Sequence, residues 1–279
     1  MLKEMGLGLV LMLAGDGELA RRAGDALIAD KVQDAIEEGG FESVEYRSWD
    51  KGFDGGRFWV GFDEVRVRRD GATLGARVAV IYPMSVLMDF ERGRVRLGPE
   101  AGAWRFASVR VSGAYSLFGR GLTVEGSNLR HEGPADDPDG FGEAECLFAD
   151  ACGYGYPLDA SGLERFRLTM ERSGGTASVL FTWRVRDRCH EIRADRVDVD
   201  RGAALSEVGA GLVENRYDAA VELASGPCEA TAEGEADGSA LAEGARAHAS
   251  TWQARDRNLD EILQVLMVSV PEAYEYLVE

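Results

Sequence analysis

The chain predicts an α+β, strand-dominated fold: a large antiparallel, curved sheet, half-pipe or barrel-like, with an amphipathic helix at each end. Three observations carry that prediction. Apolar and polar residues alternate through one short segment after another, which is the period of a strand with one face in an apolar interior and the other in water. Glycine-bearing pairs such as Asp70-Gly71 and Gly174-Gly175 separate those segments, as hairpin turns require. Helical spacing is clear only near the two ends, so the order is helix, many strands, helix, and a parallel βαβ arrangement is excluded.

The first fifteen residues hold an apolar run, Gly6 to Ala14, of signal-peptide length and too short to span a bilayer as a helix. Its flanks are those of an imperfect leader, because Glu4 offsets Lys3 and no small-x-small pair marks a cut. A buried or interfacial N-terminal helix is the competing reading. Glu18 to Glu38 follows with Leu19, Ala23, Ala26, Leu27, Ile28, Ala29, Val32, Ala35 and Ile36 as a broad apolar stripe, and Gly39-Gly40 stops it. A strand starts at Ser43, and Gly52 to Gly56 turns the chain into the main meander.

In the meander Phe58, Val60 and Phe62 alternate, then the phase slips at Asp63-Glu64 before Val65 and Val67, as a β-bulge or a short break would cause. Leu74, Ala76, Val78, Val80 and Tyr82 form the next run, closed by Pro83. Met88 and Phe90, Val95 and Leu97, Trp104 and Phe106, Val109 and Val111, and Leu122 and Val124 complete this half, residues 16–132. Gly133 to Gly142 is irregular and marks the passage to a second half, 133–279, expected to share one continuous sheet. There Phe166, Leu168 and Met170, then Ala177 to Val185, Ile192 and Ala194, Val197 and Val199, and Tyr217 to Leu223 read as strands. Ala203 to Val213 is ambiguous, with a short helix one option. Asn258 opens a closing helix through Leu263, Leu266, Met267 and Val270, interrupted at Pro271.

With 279 residues and 45% hydrophobic content the chain has ample material for a core. Its 49 acids against 31 bases give a formal charge of -18, which repels nucleic acid and anionic surfaces at long range, so no nucleic-acid partner is expected. Cys146 and Cys152, with Cys189 and Cys228, are disulfide candidates in an exported protein. Spacing leaves their connectivity open, and buried free thiols in a cytoplasmic protein are the alternative. His131, His190 and His248 are not at ligand spacing and there is no CxxC, so no metal is expected; Asp136, Asp137 and Asp139 fail the calcium-loop pattern at Phe141.

No nucleophile elbow, phosphate loop or dinucleotide fingerprint occurs, and Cys189 and His190, as strand neighbours, point to opposite faces. The expectation is therefore a protein without catalysis or cofactor. Function then turns on what covers the apolar face. About ten such strands need a partner layer, and two helices shield only part of it. A trough lined by Val60, Phe62, Val78, Val80, Phe181 and Trp183 would hold lipid or another apolar small molecule, with burial contributing about 25 cal/mol per Å². The alternative is a β-sandwich structural or protein-interaction module with a fully packed core.

The layout of the first part, GLGLVLMLA, the helix ending DAIEEGG at Gly40, SVEYRSW and GGRFWVGFDEVRV, resembles the opening of AsmA-like proteins and related tubular lipid-binding folds. The likeness runs to about Arg130 and is one of layout, with no site residue to transfer. It implies a periplasmic, lipid-transporting protein whose curved sheet holds acyl chains on a concave face, in reach of an envelope protein partner.

Overall fold

The computed structural model describes residues 17–69, 71–82, 87–96, 103–115, 119–132, 163–185, 188–214, 216–217, 221–228, 246–250, 263 and 265–271. The segment 133–162, with Cys146 and Cys152, and the N-terminal apolar segment 1–15 lie outside the described residues. Among the described residues twelve strands form one antiparallel sheet, not closed into a barrel. In order they are β1 (Ser43–Glu45), β2 (Ser48–Asp54), β3 (Arg57–Arg69), β4 (Ala72–Tyr82), β5 (Leu87–Arg96), β6 (Ala103–Tyr115), β7 (Gly119–Glu132), β8 (Leu163–Ser173), β9 (Thr176–Val185), β10 (Arg188–Asp198), β11 (Val221–Pro227) and β12 (Arg246–Ser250). Neighbours in sequence are neighbours in the sheet, except that β1 and β2 share one edge of β3. Two compact units divide the chain within β6, unit 1 ending at Ser112 and unit 2 running from Gly113 to Glu275.

Unit 1 begins with helix α1 (Glu18–Glu38). Its buried stripe is narrower than composition suggested: Ala20, Gly24 and Ile28 are buried and Leu27, Val32 and Ala35 half-buried, while Ala23, Ala26 and Ala29 are exposed. Gly40, at φ +68°, takes the left-handed conformation that ends the helix. Ile28 packs with Trp49, Phe58 and Val60, flanked by Leu27, Val32, Tyr46 and Phe62. The Trp49 indole N–H donates to Asp25 Oδ1 at 2.7 Å, so the ring's one polar atom is satisfied where the helix meets the sheet. The turn between β2 and β3 is Gly55-Gly56, both at positive φ, a two-residue turn of the twist hairpins favour. Gly52, expected in that turn, lies instead within β2 opposite Trp59, whose ring covers it so closely that an added Cβ would sit 2.4 Å from a ring carbon.

Unit 2 carries β7 to β12, helix α2 (Leu205–Val213) and a π-helical turn, Val265–Ser269, on the stretch where closing α-helix was expected. α2 settles the ambiguous stretch as helix, started by Glu207 accepting from the Ala204 N–H at 2.8 Å. A Cβ at Gly209 would stand 1.8 Å from the Met267 carbonyl oxygen, so glycine alone lets α2 lie against the π turn. Leu122, Val124, Phe166, Leu168, Met170, Val179, Phe181, Trp183, Ile192 and Ala194 are at most 2% exposed, and so are Leu205, Val208, Leu212 and Met267. This is a sealed core.

Candidate functional site

Register assigns each strand residue to a face, because directly paired residues on neighbouring strands point the same way. In unit 1 the face under α1 contains two cross-strand rows. One is Trp49, Phe62, Ala79, Phe90 and Val109; the other is Lys51, Val60, Ile81, Met88 and Val111. Val60 and Phe62 therefore share this face and touch the chain's own helix. Val78 and Val80 do not. Val78 is paired with Asp63 and Glu91, and Val80 with Gly61 and Asp89, which puts both on the opposite face. Ala79 and Ile81 take the places the alternation gave to them.

The reason is a phase slip shared by the whole unit. Glu64 and Arg92 adopt positive φ, at +52° and +50°, uncommon for residues with a Cβ. Pairing skips Glu64, Arg77, Arg92 and Ala107 while the register on either side stays constant, so these four lie in one line across β3, β4, β5 and β6. The break between β1 and β2 falls on the same line, at Tyr46 and Arg47, with Arg47 bonded to Glu64 at 2.6 Å. Inward apolar positions change parity across it: buried Phe58 and Val60 before, half-buried Val65 and Val67 after; buried Phe106 before, buried Val111 after. An inserted bulge residue would shift the register, and here none shifts. The slip foreseen at Asp63-Glu64 is one point on a crease that crosses five strand segments.

Away from α1, unit 1's apolar rows are incompletely covered: Ile81, Phe90 and Val109 are half-buried, as are Leu74 and Val95 beyond the crease. Among the described residues the one exposed large hydrophobic is Phe53, 69% exposed.

Phe181 and Trp183 lie in unit 2, stacked with ring centroids 5.0 Å apart, and fully buried. Trp183 also stacks on His190, its cross-strand partner, at 5.2 Å. Burial first and the nearby Arg188 second push the His190 pKa down to about 4, so the imidazole is neutral at pH 7. Cys189, one residue away, faces the other side, 4.9 Å in Cα distance from Cys228, to which it is disulfide-bonded. That bond excludes a thiol–imidazole pair. It ties the start of β10 to the chain just past β11, whose Gly226 is paired with Cys189.

Sequence reading missed the charge arrangement of unit 1. Arg66, Gly75, Arg94 and Arg105 form one cross-strand row, with Glu45 at its β1 end, and Arg68, Thr73 and Arg96 form the next row on the same face. All five arginines are exposed. Their face is opposite to Val65, Val67, Trp104 and Phe106. Across the crease the first charged row carries Asp63 and Glu91 instead. Register thus gathers five exposed arginines that are scattered along the chain onto one face of the sheet. Counting residues at equal distance from each hairpin turn would have shown the rows.

Among the described residues no group of three or more His, Cys, Asp or Glu side chains is placed to hold a metal ion. No protein-family model, curated protein or solved structure matches the chain.

Proposed function

We propose that the protein is an exported binding protein, acting without chemistry, that holds an acyl chain or similar apolar ligand on the α1-side face of unit 1. The observation that carries this reading is the half-buried apolar row of Phe62, Phe90 and Val109, with Ile81 beside it, on adjacent strands next to a helix. Such a face gains stability from an apolar occupant at about 25 cal/mol per Å² covered. The disulfide between Cys189 and Cys228 supports an oxidising compartment, and the AsmA-like layout of the first part supports the periplasm and a lipid as cargo. Phe181 and Trp183 then serve as packing of unit 2, not as ligand contacts.

The test is native mass spectrometry of protein purified from an envelope fraction, followed by organic extraction and lipid analysis. A stoichiometric lipid, lost in a folded Phe90→Asp variant, is the expected result. A clean apo mass that also fails to take up added fatty acid would sink the reading. A second reading, a protein-interaction module with every apolar face satisfied internally, is favoured by the sealed core of unit 2 and predicts that outcome.

A further inference from the structure

The β2–β3 hairpin carries the one large hydrophobic side chain that the described surface leaves in water, Phe53, 69% exposed. Among the described residues β3 pairs with β4 only from Val60, opposite Ile81, onward, so the hairpin end from Gly52 to Trp59 runs past that pairing as a two-stranded tongue. Phe53 stands directly opposite Phe58, which is buried in the cluster under α1. Its ring therefore lies on the same face as Val60 and Phe62, but outside the cover of the helix. A polar residue would serve that position at no cost to the core.

The reverse face of the tongue holds a second aromatic ring. Trp59 is bedded on two glycines, since an added Cβ would stand 2.4 Å from its ring at Gly52 and 3.1 Å from it at Gly61. The ring is half-buried, with the rest of its surface in water. Glycine at 52, which weakens a strand by itself, is thus explained as the bed of a ring that braces the tongue. The apex, Gly55-Gly56, has no side chain to hold the tip away from a surface. Charges around the tip cancel, Asp50 and Asp54 against Lys51 and Arg57, in a chain of formal charge -18.

We propose that this tongue is a membrane-contact element, with Phe53 entering the acyl layer of a zwitterionic bilayer and Trp59 resting at headgroup level. Indole settles at that depth because its body is apolar and its N–H is polar. The neutral tip matches a zwitterionic surface, whereas the net charge of the whole chain opposes an anionic one. The inference rests on the apolar-ligand reading: a carrier of acyl chains has to meet the bilayer that supplies them, and Phe53 shares its sheet face with the ligand row. A single deep anchor gives weak, reversible contact, which lets a carrier leave again.

The test is cosedimentation with phosphatidylcholine vesicles for the wild type, Phe53→Asp, Phe53→Leu and Phe90→Asp, each confirmed as folded by circular dichroism. Phe53→Asp should bind about tenfold or more weakly, as removal of one buried aromatic ring predicts, while Phe53→Leu binds like the wild type. Phe90→Asp should lose ligand uptake and keep vesicle binding. Tryptophan placed at the tip, in Phe53→Trp, should be quenched by lipids brominated on their acyl chains beyond the quenching of the wild type. Full binding by Phe53→Asp, or no added quenching of Phe53→Trp, overturns the proposal. So does a wild type that takes up fatty acid and ignores vesicles, which leaves the ligand reading standing and assigns Phe53 to a protein partner. Phe53-dependent vesicle binding by a wild type that takes up no apolar ligand sinks the ligand reading alone.

Discussion

Unit 1 and unit 2 are built from the same material, antiparallel strands with an apolar face and a helix, and they end up different. In unit 2 the apolar rows run under α2 and the π turn, and Leu163, Leu168, Met170, Phe181 and Leu205 reach zero exposure. In unit 1 the rows change parity at a crease, α1 covers one end, and Ile81, Phe90 and Val109 stay half-buried. The lesson is that complete burial comes from layers that interlock, as at Gly209 against Met267, while alternation only supplies a face to be covered.

One substitution made in each unit gives the largest contrast. Phe181→Asp places a carboxylate at 0% exposure between Leu168 and Ile192, and it should abolish the folded state of unit 2. Val80→Asp, on the face shared with Gly61 and Asp89, should cost about 1–2 kcal/mol, from lost burial and the like charge opposite. Urea denaturation followed by tryptophan fluorescence measures both; equal losses would mean that Val80 is a core residue of unit 1.

Next in size is the disulfide. Cys189 and Cys228 are 39 residues apart, and the chain-entropy account gives about 4 kcal/mol for closing such a loop. Reduction, or Cys189→Ser/Cys228→Ser, should lower the melting of unit 2 well below that of unit 1, separating a single thermal transition into two in scanning calorimetry. Preservation of one transition at an unchanged temperature would count against independent units.

His190 should tie only unit 2 to pH. Its folded pKa, about 4, lies below the ordinary 6.5, so the unfolded chain takes up a proton first as pH falls. The stability associated with the neutral imidazole is full above pH 6.5 and is lost progressively down to pH 4, in all roughly 3 kcal/mol. His190→Phe should flatten the fall of unit 2's melting temperature over that window and leave unit 1's alone.

The smallest effect compares two glycines. Gly209→Ala drives a methyl into the Met267 backbone carbonyl and should cost about 2–3 kcal/mol, whereas Gly93→Ala meets only the ring of Phe106, which can turn aside for about 1 kcal/mol. Melting temperatures of the two variants rank them, and the reverse order would show that unit 1 is the more tightly packed.

Particular residues show why some of this was legible and some not. α1 begins and ends where the stripe and Gly39-Gly40 put it, because a long helix with a glycine stop is a local signal. The strands were legible as alternation, but Trp104–Phe106 and Val109–Val111 read as two strands where β6 runs unbroken through both. A kink keeps the register and changes only the parity, and nothing local distinguishes that from a turn. In β4 the run from Val78 to Tyr82 is apolar at every position, so its phase was unreadable, and Val78 and Val80 were assigned to the face that Ala79 and Ile81 occupy. The pairing of Cys189 with Cys228 depends on which strands become neighbours, a property of the assembled sheet, whereas the arginine row of Arg66, Arg94 and Arg105 follows from counting outward from each hairpin turn.

The crease through Arg47, Glu64, Arg77, Arg92 and Ala107 has a mechanical side. A sheet resists bending about an axis across its strands because every strand must bend together, and here unit 1's strands are all scored along the same line. Unit 1 is therefore expected to bend most readily along that line, where Glu64 and Arg92 leave the extended conformation. Bending there would change the curvature of the α1-side face and the tilt of the arginine rows on the reverse together.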